Sequence, residues 1–205
     1  MAPSMGERVA VLVSGSGTNL QALLDHQVCG PRIALVLADR RDAGALARAE
    51  ARGVETVVVE PGTFDDGRAF DHAVADVLRQ RGIDAVVTAG YMRLLGPAVL
   101  AAYGGRILNV HPSLLPSFPG THAVADALAH RVKVTGVTVF LVDAGMDTGP
   151  IVLQEPIEVR DDDDWDSLEA RVHEVEHRLL PEATAALVEG RLQVEGRTVR
   201  IGADR

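Results

Sequence analysis

The sequence predicts an α/β fold: a Rossmann-like, mostly parallel sheet with helices on both faces. Three observations carry that expectation. Short apolar runs alternate with helical patterns through the first half of the chain. The first run leads into a glycine-rich turn, Gly15-Ser16-Gly17-Thr18-Asn19, that opens a helix. The 205 residues, 47% apolar and 24% charged, suit one domain with a sizeable core.

Each element follows from its local pattern. Arg8 to Val13 is a β-branched apolar run and the first strand, followed by a helix from Leu20 to about His26. Arg32 to Ala38 is the second strand, Gly44 to Arg52 a helix, and Thr56 to Val59 the third strand. Arg68 to Arg81 places Phe70, Val74, Val77 and Leu78 on one helical face. Ala85 to Thr88 and Arg106 to Val110 are further buried strands. In the second half, Val134 to Leu141 and Ile151 to Val159 flank a loop with glycines, which predicts an antiparallel pair. A long helix follows from about Ser167 to Glu189, with Pro181 expected to kink or split it. Leu192 to Val194 and Val199 to Ile201 close the chain as a hairpin around Glu195-Gly196. The acidic run Asp161 to Asp164 reads as a helix start favoured by capping and the macrodipole, rather than as a cation cluster.

Composition excludes several function classes. A net charge of −9 disfavours a nucleic-acid binder and an anionic membrane surface. Aromatic residues at 3% give little material for base stacking. No apolar run approaches the roughly 18 residues that cross a bilayer. The opening MAPSMGER lacks an apolar signal core, and the lone Cys29 forms no internal disulfide, so a reducing cytoplasm is expected.

Three segments carry chemistry. The glycine loop offers unpaired N–H groups at a helix start, where an anion such as phosphate binds. Leu20 stands where a dinucleotide fingerprint has its third glycine, although Asp39 does end the second strand, where such folds hold a ribose. A plain tight turn is the alternative. Asn109 and His111 lie two apart at the end of a strand, so they point the same way, an amide donor beside a titratable imidazole. A structural histidine is the bland reading. The loop Asp143-Ala144-Gly145-Met146-Asp147-Thr148-Gly149-Pro150 is rich in turn residues. It is either a solvated connection or a carboxylate presented to that histidine, where an anion favours the imidazolium and fixes the tautomer. His173-Glu174-Val175-Glu176-His177 spells a zinc-protease pattern, but no histidine follows it as a third ligand.

The segments VSGSGTNLQ, AGYMRLL, ILNVHPSLLPSFPG and DAGMDTGPIVLQ together resemble the phosphoribosylglycinamide formyltransferase family, over about Arg8 to Arg200. The resemblance implies the formyltransferase fold in one domain, with residues 1–105 as a ribonucleotide-phosphate half and residues 106–205 as a catalytic and folate half. It implies formyl transfer from 10-formyltetrahydrofolate to glycinamide ribonucleotide, two small-molecule substrates, without a metal. Nucleic acid and membrane are not expected partners, and a homodimer is left open. Gly17, Thr18 and Asn19 would hold the substrate phosphate, and His173 and Glu176 would contact the ribonucleotide. Asn109 and His111 would be the catalytic pair, with Asp147 as their carboxylate. Met92, Arg93, Leu94 and Leu95 would line the folate site, with Asp143, Ala144, Gly145, Met146 and Asp147 on its other side and Arg68 near the folate. Two departures stand beside the catalytic segment: Ser117 replaces a lysine of some relatives, and Ala123 to Ala125 replace a more polar stretch after His122. A formyltransferase acting on an amino sugar, a zinc hydrolase and a non-catalytic nucleotide-binding module remain the rival readings.

Overall fold

The computed structural model describes residues 7–203. The opening residues 1–6, most of the segment in which no signal core was read, lie outside them. Five strands run parallel: β1 (Val9–Val13), β2 (Ile33–Ala38), β3 (Glu55–Val58), β4 (Ala85–Thr88) and β5 (Ile107–His111). Two antiparallel strands, β6 (Val134–Leu141) and β7 (Ile151–Glu158), extend the same sheet. The spatial order is β3-β2-β1-β4-β5-β6-β7. The chain therefore winds outward from β1 and then returns to start again at β4. A crevice opens at the carboxyl ends of strands where the order switches in this way.

The pleat explains why the parallel strands read as continuous apolar runs. Val9, Val11 and Val13 of β1 enter one core, while Ala10 and Leu12 enter the other. The first core is closed by the helices α1 (Thr18–Asp25), α2 (Gly44–Glu50), α5 (Ala123–Ala129) and α6 (Trp165–Val188). The second is closed by α3 (Gly67–Gln80) and α4 (Pro97–Tyr103). On α3 the expected stripe is buried at Phe70, Val74 and Leu78, whereas Val77 is only partly covered. A short hairpin, β8 (Leu192–Glu195) with β9 (Thr198–Ile201), ends the fold as expected.

Four helices differ from the reading of the sequence. Helix α1 begins at Thr18, so Thr18 and Asn19 belong to its first turn and not to the loop. Helices α4 and α5 have seven residues each, too short to establish a period, and were not anticipated. Parallel β4 and β5 need such a crossover, and α4 supplies it. The start of α4 is capped from a distance: buried Asp71 on α3 accepts from the N–H groups of Gly96 at 3.0 Å and Ala98 at 2.6 Å. Gly96 is required by this approach, since a Cβ there would lie 2.4 Å from the Asp71 carboxyl carbon. Finally, α6 continues through Pro181 for 24 residues without splitting. Pro181 is buried, and its carbonyl accepts from Cys29 Sγ at 3.3 Å, so tertiary packing outweighs the missing helical hydrogen bond. Burial pushes that thiol up to about 12, as befits a structural cysteine.

The acidic run behaves as a helix start. Asp164 caps α6 in a reciprocal box with Ser167, while Asp163 accepts from Arg171. Among the described residues, no helix is long and apolar enough to cross a membrane.

Candidate active site

A cavity of about 240 Å³ opens between the carboxyl ends of β4 and β5, roofed by the loop after β6. Met92, Arg93, Leu94 and Leu95 line one side, Gly145, Met146 and Asp147 the other, with Asn109 and His111 between them. The first side is pinned to the sheet. Ser14 Oγ at the end of β1 accepts from Met92 N–H at 3.0 Å, and Arg93 Nε donates to Asp39 at 2.7 Å. Asp39, at the position where dinucleotide folds hold a ribose, is thus already paired with Arg93.

His111 is 4% exposed. Its Nε2 lies 2.8 Å from the Phe118 carbonyl, which can only accept, so Nε2 carries a proton. Nδ1 faces Asp147 Oδ2 at 3.6 Å. The same Asp147 oxygen accepts from Gly120 N–H at 2.7 Å. Among the described residues only Phe118, Arg131 and Asp147 are non-glycine residues in the left-handed region, and two of the three touch His111. Backbone strain is therefore gathered around the imidazole. Asp143 folds this loop by accepting from Gly145 N–H at 3.0 Å and Thr148 Oγ1 at 2.6 Å. Asn109 is oriented from the neighbouring strand, its Oδ1 accepting from Thr88 Oγ1 at 2.7 Å. Its NH2 has no partner among the described residues, so a free amide donor stands at the strand end beside an imidazole whose Nε2 proton is already given to the Phe118 carbonyl. That pairing suits an acyl transfer, in which a carbonyl oxygen gains negative charge.

The glycine loop carries a second polar cluster, outside the lining of this cavity. Gly17 precedes α1 with φ +77°, and a Cβ there would lie 2.6 Å from that of Ala45, so glycine is required both by conformation and by space. No side chain caps α1. Its first N–H groups are left for a guest, while the Ser16 carbonyl is held by Arg48 Nε at 2.8 Å. Asn19 Nδ2 crosses to α6 and donates to Glu176 Oε2 at 2.9 Å. His173 Nδ1 donates to the same oxygen at 2.8 Å. Asn19, His173 and Glu176, far apart in sequence, therefore form one cluster. The hydrogen bond with Glu176 raises the pKa of His173 above 6.5, while burial, with the cation of His173 beside it, lowers that of His177.

A formyl transferase family profile matches residues 7–184. The chain belongs to the formyl transferase family. The phosphoribosylglycinamide formyltransferase of Mycobacterium tuberculosis is 47% identical, over 98% of this chain and 94% of its own length. That of Bacillus subtilis is 40% identical, over 89% of this chain and 95% of its own. The crystal structure of glycinamide ribonucleotide transformylase 1 from Symbiobacterium toebii superposes with a TM-score of 0.94 at 48% identity, covering 98% of this chain and 96% of that one. The family implies a folate-derived formyl donor, and the cavity is a largely apolar cleft of the kind that takes a flat ring system.

Of the expected site residues, Met92 to Leu95, Asn109, His111, Gly145, Met146 and Asp147 line the cavity, whereas Gly17, Thr18, Asn19, His173 and Glu176 lie outside its lining, at the glycine loop and on α6. Asp143 and Ala144 shape the loop without lining the cavity, and Arg68 lies exposed in the first turn of α3, away from the lining. His122 also stays outside the lining, and its Nδ1 meets only Thr121 Oγ1. Ser117 is exposed, while Ala123 and Val124 pack into the core at the start of α5, where polar side chains would be buried. Thr88, Tyr91, Gly120 and Phe140 line the cavity without having been singled out. Thr88 looked like the last residue of a strand, and no local pattern marks its hydroxyl. In the zinc-protease pattern, His173 turns to Glu176 and stacks on His177 at 5.7 Å, while Glu174 points to solvent. Among the described residues, no group of three His, Cys, Asp or Glu side chains gathers as a metal site.

Proposed function

We propose that this formyl transferase moves the formyl group of 10-formyltetrahydrofolate to the primary amine of glycinamide ribonucleotide, a step of purine synthesis. The observation that carries the reading is the convergence of Asn109, His111 and Asp147 in one largely apolar cavity. The high identity to named relatives supports the same substrates.

The amine nitrogen attacks the formyl carbon, and the carbonyl oxygen becomes anionic in the tetrahedral intermediate. Asn109 NH2 donates to that oxygen, and the charge of the His111 imidazolium, whose Nε2 proton stays with the Phe118 carbonyl, stabilises it through space. Asp147 stabilises the imidazolium through the facing Nδ1 and fixes the ring. Collapse breaks the bond between the formyl carbon and N10 of the folate. One proton leaves the attacking amine and one reaches N10, so the exchange balances without any redox partner. Met92 to Leu95, Gly145 and Met146 hold the pterin, with Arg68 left for the part of the folate outside the cavity. The N–H groups at Gly17, Thr18 and Asn19 take the ribonucleotide phosphate, and Glu176 with His173 faces the sugar. In this reading the phosphate half, residues 1–105, and the catalytic half, residues 106–205, share the site, since α6 reaches back to Asn19.

The test is product identification. Purified protein with both substrates should convert glycinamide ribonucleotide to its N-formyl derivative, detected by mass spectrometry. Formylation of an amino sugar nucleotide instead would replace this reading.

A further inference from the structure

We propose that Thr88 is a positioning residue for formyl transfer: its hydroxyl holds the Asn109 carboxamide with the NH2 turned to the reacting carbonyl. The inference rests on the function proposed above. Thr88 ends β4, is 5% exposed, and stands in register with Asn109 across the parallel β4–β5 pair. Its Oγ1 has two oxygen neighbours, Asn109 Oδ1 at 2.7 Å and the Leu108 carbonyl at 3.2 Å. A hydroxyl has one proton to give. The shorter separation is that of an O–H···O bond and lies below the usual N–H···O distance of about 2.9 Å, so the proton goes to Asn109 Oδ1.

This choice decides what Asn109 offers to the cavity. With Oδ1 engaged by Thr88, the amide nitrogen is the free end. Were the carboxamide turned over, NH2 would face Thr88 and the carbonyl oxygen would face the developing oxyanion, converting a donor into a repulsion. No other side chain among the described residues bonds Asn109, so the hydroxyl alone sets the orientation. The rest of β4, Ala85 to Val87, is apolar and fully buried, which leaves Thr88 as its one polar side chain. Thr88 acts through Asn109 and takes no part in the proton transfers.

The experiment is a steady-state comparison of Thr88→Val, Thr88→Ala and Thr88→Ser with wild type, each checked by thermal melting. Valine keeps the shape and removes the hydroxyl. It should lower kcat by about ten- to a hundredfold, somewhat less than the loss of an oxyanion donor, and leave KM for both substrates within about threefold. Alanine should lose kcat to a similar degree, which keeps the test decisive if the valine variant folds poorly. Serine retains the hydroxyl and should remain within about threefold of wild type. In an Asn109→Ala background, Thr88→Val should change kcat by less than about twofold, because the partner it positions is gone. Wild-type kcat in the valine or alanine variant, a serine variant as slow as valine, or additive losses in the double variant would each overturn the role of Thr88. If wild type itself fails to transfer formyl to glycinamide ribonucleotide, the functional reading falls, and the role of Thr88 falls with it.

Discussion

The cluster around Asn19 and the cluster around His111 hold their polar groups by different means. The first is built from regular helices. Asn19 lies in the first turn of α1 and Glu176 in the interior of α6, and glycine alone meets the one left-handed position, at Gly17. The second is built from irregular chain. Phe118 and Asp147 are held in left-handed conformations, and the contacts to the imidazole are a backbone carbonyl and a loop carboxylate. Such conformations cost on the order of 1–2 kcal/mol per residue, offset here by bonds such as Gly120 N–H to Asp147. In the proposed function, helix packing places groups that bind the ribonucleotide, and strained loops place groups that react. Substitutions in the first cluster should therefore alter affinity, and those in the second should alter rate.

The sharpest contrast comes from His111→Ala. Turnover should fall by about 10²- to 10⁴-fold, the usual worth of a positioned acid–base group, while folate affinity by calorimetry stays close to wild type. Near-normal turnover would erase the distinction between the clusters. Asp147→Asn comes next. Asparagine tolerates the left-handed backbone and still accepts from Gly120 N–H, so only the charge facing His111 is lost. A fall in kcat of about 10²-fold, with a melting temperature near wild type, is expected from stopped-flow and calorimetric scans. A rate equal to wild type would leave Asp147 with a loop-shaping role only.

Substitutions in the helical cluster are milder. Asn19→Ala removes one of the two donors from buried Glu176, at a cost of about 1–3 kcal/mol in stability. KM for glycinamide ribonucleotide should rise about tenfold and KM for the folate hardly at all, since one 1.4 kcal/mol interaction is a factor of ten. An equal rise in both would break the comparison. The smallest effect is electrostatic. The hydrogen bond that His173 donates to Glu176 raises the pKa of His173 above 6.5, so this pair adds stability that is complete below that value and is lost as pH rises through the raised one. Glu176→Gln should return the NMR titration of His173 towards 6.5 and flatten the stability profile over that window. An unshifted titration would mean that the two side chains do not interact.

The same division governs what could be read in the sequence. Continuous apolar strands and the Phe70, Val74 and Leu78 stripe report on burial through local spacing, so the parallel sheet and α3 were legible. Helix α4 was not, because its cap is Asp71 on another helix, and α5 was too short to show a period. In the site, the Asn109–His111 spacing and the glycine loop are local signals, and the expected carboxylate at Asp147 came from the family resemblance. The Thr88 hydroxyl, the Phe118 carbonyl and the Asn19–Glu176 contact depend on strand neighbours and long-range packing, which no spacing in the chain reveals.

The central claim is that this cavity passes a formyl group from folate to the glycinamide amine. A spectrophotometric assay of 10-formyltetrahydrofolate deformylation, run with and without glycinamide ribonucleotide, tests it most directly. Deformylation is expected only when the ribonucleotide is present, with one formylated product formed for each tetrahydrofolate released. Deformylation at an undiminished rate without the ribonucleotide, or none when both substrates are supplied, would contradict it.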